Sequence, residues 1–118
     1  MTPRAQRIAI AKACGWTKAD HYTEGFGGGR CLETGRKDKQ GMFFRKLPDY
    51  LNDLNAMYEA ESTLTTRQIP VFEDELFSVC ELPHAGTLWI AIHATAAQRA
   101  EAFLRTLGLW IEQQKGQP

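Results

Sequence analysis

"TLWIAIHA", residues 87–94, carries apolar side chains on both faces of an alternating pattern, and the way this stretch folds decides the architecture. A half-buried strand alternates apolar with polar residues, whereas a strand covered on both sides reads as a nearly continuous apolar run. The pattern therefore predicts a central strand over 87–94, with helices packed on the sheet it belongs to.

The flanks supply those helices. Downstream, Thr95 and Gln98 have the spacing of a capping box, and Ala96, Ala100, Phe103, Leu104 and Leu107 form one apolar stripe. Glu101 and Arg105 fall outside that stripe as an i,i+4 pair, Gly108 is a natural stop, and 112–118 reads as a frayed tail. Upstream, Thr65 and Gln68 repeat the capping-box spacing, with Leu64 and Ile69 placed as a hydrophobic staple. Ile69, Phe72, Leu76, Val79 and Cys80 then recur at three and four residues until Leu82-Pro83, and Pro70, which removes a donor in the first turns, is expected either to shift the start to itself or to kink the helix there.

"LPDYLNDLNAM", residues 47–57, sets carboxylates and amides among apolar residues at helical spacing. A helix over 49–62 would place Tyr50, Leu51, Leu54, Met57 and Tyr58 on one side, with Asp49, Asn52, Asp53, Ala56 and Ala60 on the other. Pro48 and the first-turn carboxylates suit a helix start, so Asp49 and Asp53 are explained as solvated charge at the positive end of the helix dipole. At the other end of the chain, Thr2-Pro3 and Gly15 bracket a helix over 3–14 with a small inner face of Ala5, Ile8 and Ala11, to which Ile10 and Cys14 are candidate additions. Between them, 16–46 is a long Gly-rich irregular segment in which "GMFFRK" (41–46) is a candidate short strand against "RCLET" (30–34).

The chain of 118 residues is sized for one domain. No apolar run approaches the ~20 residues that span a bilayer, and no export signal is evident, so a cytoplasmic protein without a membrane is expected. Three cysteines without a C-x-x-C pair read as reduced packing residues. Net charge is zero, but residues 1–46 hold 10 Lys/Arg against 4 Asp/Glu while 47–118 hold 4 against 10. Halves of +6 and −6 point to a basic surface for a polyanion, or to opposite charges that meet within the fold or between two copies.

No catalytic or metal-binding constellation stands out, and no cofactor is expected. Cys80 and His84 have ligand-like spacing, with His21, Cys31 and His93 as possible additions, but Pro83 breaks the element that would align the first two. "GFGGGR" lacks the G-x-x-x-x-G-K-[ST] phosphate loop and has Arg30 where a dinucleotide fingerprint requires Gly or Ala. The pattern with most chemistry is basic and aromatic: Trp16, Tyr22, Phe26, Phe43 and Phe44 among Lys18, Arg30, Arg36, Lys37, Lys39, Arg45 and Lys46. Aromatic faces stack on bases while cations follow phosphates, making Arg30, Arg36, Lys37, Phe43, Phe44, Arg45 and Lys46 the candidate nucleic-acid or partner surface. The competing reading is that these aromatics complete the core beneath a basic loop.

"IAKACGW" (10–16), "LPDYLNDLNAM" followed by "YEAE" (58–61), and "ATAAQRAEAFLRTLGLW" (94–110) together resemble the small phage and prophage proteins of the phage ABA sandwich domain family. The resemblance implies a small sheet between helices and a phage or prophage origin in a bacterial host cytoplasm. It carries no activity and no functional residue. The expected fold is thus α+β, a single-domain alpha-beta-alpha sandwich of about four helices around a small, mostly antiparallel sheet. Its expected core is Leu51, Leu54, Met57, Phe72, Leu76, Leu88, Ile90, Ile92, Phe103, Leu104 and Leu107. The expected function is a non-enzymatic accessory protein that binds another protein or itself, the alternative being a nucleic-acid-binding accessory factor using 16–46.

Overall fold

A computed structural model describes residues 1–23, 31–37, 44–81 and 86–112. Among them are five helices, α1 (Pro3–Ala13), α2 (Leu54–Glu61), α3 (Gln68–Cys80), α4 (Thr87–His93) and α5 (Ala96–Thr106). Three strands, β1 (Thr17–Thr23), β2 (Cys31–Arg36) and β3 (Arg45–Lys46), form one antiparallel sheet in the order β1-β2-β3. The class is α+β with a small antiparallel sheet, as the sequence implied.

Helix α5 is the hub, packing against α1, α2 and α3 while α1 also packs on β1. Its Ala100, Ala102, Phe103 and Leu104 are fully buried, joined by Ile10 and Ala11 of α1, Met57 and Ala60 of α2, and Leu76 of α3. These residues belong to one contiguous apolar cluster. Capping chemistry starts α1 and α5 where the sequence indicated. The Thr95 hydroxyl accepts from the Gln98 N–H at 3.1 Å and the Gln98 side chain accepts from the Thr95 N–H at 2.9 Å. Thr2 accepts from the Ala5 N–H at 3.1 Å with Pro3 in the first turn. Thr65 and Gln68 exchange the same two bonds ahead of α3, and Pro70 lies in the first turn, where its missing N–H costs nothing.

Residues 87–94 are not a strand. They form the two-turn helix α4, with Gly86 at its N-cap, and no sheet lies there. An eight-residue apolar run satisfies helix and strand equally by pattern, so tertiary context decides between them. The helix packs on α3 chiefly through Ile90, which is buried, whereas Leu88 and Ile92, both expected in the core, are exposed. Leu54 is exposed as well, and Leu51 and Leu107 are half-buried against the core. The helix count among the described residues is therefore five rather than about four.

The strands lie instead within the segment 16–46, expected to be largely irregular, at Thr17–Thr23, Cys31–Arg36 and Arg45–Lys46. Antiparallel pairing of β2 with β3 joins Thr34 to Lys46 and Gly35 to Arg45, so the expected partnership of the two segments holds. Strand β1 pairs with β2 through His21–Glu33 and Thr17–Arg36, with a bulge between Thr17 and Asp20 in which Lys18 adopts φ 52°. The expected 41–43 part of β3, residue 30, and the tail 113–118 lie outside the described residues.

Helix α2 begins one turn later than its sequence suggests. The Asp53 carboxylate accepts from the N–H groups of Asn55 at 2.9 Å and Ala56 at 3.4 Å, and is the N-cap. Asp49 accepts from the Asn52 side chain at 3.0 Å in the preceding turn. The late start takes Tyr50 off the helix and turns Ala56, Met57 and Ala60 inward, leaving Tyr58 half-exposed.

The Arg7 guanidinium clamps Glu33 with two bonds of 2.6 and 2.7 Å, tying α1 to β2. That hydrogen-bonded clamp holds the Glu33 carboxyl below the ordinary carboxylate range. A depressed native value stabilises the fold above that range and loses the contribution as pH falls through it. Glu33→Gln is therefore expected to flatten the acid limb of a urea-midpoint profile between about pH 5 and pH 3 by ~1 kcal/mol, screening having been allowed for. An unchanged acid limb would exclude this role.

Candidate functional site

Helix α4 presents the most conspicuous surface. Leu88, Trp89 and Ile92 are 74%, 49% and 62% exposed on a helix of seven residues. Trp89 and His93, one turn apart, stack with ring centroids 4.1 Å apart, and His93 Nδ1 lies 2.9 Å from the Trp89 carbonyl oxygen. Between α3 and α4 runs a groove of about 230 Å³, lined by Glu73, Leu76, Phe77, Leu88, Ile90 and Ala91. Burial of one such aliphatic side chain is worth roughly 1.5–3 kcal/mol, so a face that exposes two of them beside a Trp favours a cover.

The basic cluster is partly assembled. Arg36, Lys37, Phe44, Arg45 and Lys46 come together where β2 meets β3, whereas Arg30 and Phe43 lie outside the described residues. The Arg36 guanidinium sits 4.3 Å over the Phe44 ring, and the Lys37 ammonium 5.7 Å over that of Trp16. Trp16 itself is buried in the core and Phe44 is half-exposed, so the aromatics divide between a core role and a surface role.

Arg99, a residue the sequence-based expectations do not include, is the one buried charged residue among the described residues, at 5% exposed. Its Nη1 meets Glu61 Oε1 at 2.9 Å, joining α5 to α2, and its guanidinium lies 5.1 Å over the Tyr58 ring. Burial pushes the Glu61 carboxyl upward, against the pull of Arg99. The spacing holds the signal: Arg99 falls three residues after Ala96 and four before Phe103, on the apolar stripe.

Arg105 bonds Glu101 and Glu112, each at 2.8 Å. The arginine ion pairs, Arg7 with Glu33, Arg99 with Glu61, and Arg105 with Glu101 and Glu112, each join residues of the same half of the chain. Among the described residues, none of these pairs joins the basic half to the acidic half. Cys14 and Cys80 are free thiols, both pushed upward by burial and so protonated near neutral pH. Among the described residues no three of His, Cys, Asp and Glu gather to hold a metal ion, and no helix is long and apolar enough to cross a membrane.

No protein-family model, curated protein or solved structure matches the chain.

Proposed function

We propose that this chain is a phage or prophage accessory protein of a bacterial host cytoplasm, a non-enzymatic module that works by binding another protein or a second copy of itself. The exposed apolar face of α4 carries the reading. Apolar groups rimmed by polar residues are the usual core of a protein–protein contact, and aromatic anchors contribute disproportionately to it. The +6 and −6 division along the chain would add electrostatic attraction to a contact that joins the basic segment of one copy to the acidic segment of another. The resemblance to the phage ABA sandwich family supports the origin.

Light scattering and a pull-down from host lysate test the proposal. The protein is expected to self-associate or retain a partner, and Leu88→Ser with Ile92→Ser to weaken that association by at least about ten-fold, given ~1–2 kcal/mol per buried anchor. A strict monomer that retains no protein would refute it.

The cluster of Arg36, Lys37, Arg45 and Lys46 around half-exposed Phe44 favours a second reading, a nucleic-acid accessory factor. Fluorescence anisotropy with single- and double-stranded oligonucleotides at low salt decides it, and the absence of salt-sensitive binding would remove it.

A further inference from the structure

We propose that α4 is the contact of a two-fold symmetric homodimer, in which the helix of one copy lies antiparallel across the same helix of a second and each Trp89 seats in the other copy's groove between α3 and α4. The proposal rests on the reading of α4 as a protein-binding face and commits its occupant to a second copy of this chain.

Charge selects that occupant. In a two-fold contact a patch faces itself, so any charge it carries meets its own like. Helix α4 has no Asp, Glu, Lys or Arg among its seven residues, although the segment 47–118 to which it belongs holds 10 Asp/Glu against 4 Lys/Arg. Its neighbour α3 carries Glu73, Asp74 and Glu75 in succession. A symmetric contact centred on α3 would set those carboxylates against their copies, whereas one centred on α4 brings together apolar and aromatic side chains with His93.

The shape is self-complementary. Leu88 and Ile92, four residues apart, form one stripe of α4, and Trp89 and His93 form the stripe beside it. Antiparallel crossing sets Leu88 of each copy against Ile92 of the other, so the two halves of the contact repeat each other. The groove of about 230 Å³ is larger than the roughly 150 Å³ that admits benzene, which leaves room for an indole. Leu76, Phe77, Ile90 and Ala91 make it apolar, with Glu73 its single acid. Stacking on His93, with the rings 15° from parallel, holds Trp89 in one orientation and lowers the side-chain entropy lost on docking.

Leu88, Trp89 and Ile92 expose on the order of 400 Å² per copy, or roughly 800 Å² for the pair, against the ~1,200 Å² at which specific interfaces begin. Ile69, exposed one turn before Glu73 on α3, extends the patch, as do exposed Ala91 and His93. That area places the dimer at the weak end of specific association, with a dissociation constant on the order of 10 μM.

Sedimentation of the full chain from about 1 μM to about 1 mM reads the stoichiometry. A reversible equilibrium that stops at two copies is expected, changing less than about three-fold between about 0.05 and 0.5 M salt because its contact is apolar. Across the same range the Trp89 indole N–H resonance should shift while those of Trp16 and Trp110, both buried, keep their places. Leu88→Lys and Ile92→Glu, both at exposed positions, should each weaken the dimer by at least about ten-fold. An equimolar mixture of the two should associate at least about ten-fold more tightly than either alone, since antiparallel packing sets the introduced ammonium against the introduced carboxylate. A monomer throughout, assembly beyond two copies, a fixed Trp89 resonance, or a mixture no tighter than its components would each overturn the proposal. A chain that stays monomeric yet captures a host protein, and loses it on Leu88→Lys, would overturn the dimer while keeping α4 as a protein-binding face.

Discussion

Arg99→Ala is expected to destabilise the protein by about 3–5 kcal/mol, because truncation strands the Glu61 carboxylate between α2 and α5 without its partner. Arg99 is 5% exposed and meets Glu61 through a single 2.9 Å contact, its Nε and the second Glu61 oxygen being buried without bonds. The loss should depend on pH in a definite direction. Burial already raises the Glu61 carboxyl, and removing Arg99 leaves only that upward push. A carboxyl raised in the folded state stabilises the fold below the ordinary carboxylate range, and that contribution disappears as pH rises through the raised value. Urea unfolding should accordingly show a smaller deficit near pH 5 than near pH 8. The double variant Arg99→Met, Glu61→Leu should recover most of the loss, since apolar residues of similar volume replace such pairs without penalty. A double variant as unstable as Arg99→Ala would mean that the charged contact itself, and not the stranding of Glu61, holds α5 to α2.

Gly35→Ala is expected to cost about 1–3 kcal/mol by overpacking, and Gly35→Val more. A Cβ at Gly35 would stand 3.2 Å from the Ala19 Cα, the Leu47 Cδ2 and the Trp16 ring at once. One of these is backbone and another a buried indole, so neither can swing aside. The close approach arises where β1 bulges, bringing Ala19 inward over β2. Gly86, where a Cβ would meet no atom within 4 Å, provides the control: Gly86→Ser should change stability by less than about 0.5 kcal/mol. Chemical denaturation of the three variants measures this, and a neutral Gly35→Ala would show that β1 and β2 can part without loss.

What can be read in advance divides along physical lines. Caps are local chemistry, and Thr2, Thr65 and Thr95 mark their helices in the chain as they do in the fold. The stripe on α5 is equally legible, because a helix with one buried face writes its period directly into the sequence. Residues 87–94 are not, since a short apolar run has no period of its own and packing, which buries Ile90 and Ala94, selects which side is covered. Strand β1 is invisible for the opposite reason: Thr17, Lys18, Asp20 and His21 are exposed and Ala19 alone of that run is buried, so pairing with β2 rather than apolar alternation defines it. Of the candidate surface, the Arg36–Lys37 and Arg45–Lys46 pairs become neighbours through strand pairing that spacing does not specify. The exposed face of α4 is hidden from any reading that assigns the same residues to the interior.

The position of α5 also bears on how the chain comes to be folded during synthesis. Helices α1, α2 and α3 all emerge from the ribosome before the segment that they pack against, and Ile10 must wait for Phe103 across more than ninety residues. Closing so long a loop delays the rate-limiting contacts, so the nascent polypeptide remains open, its greasy surfaces available to chaperones, until α5 has been translated.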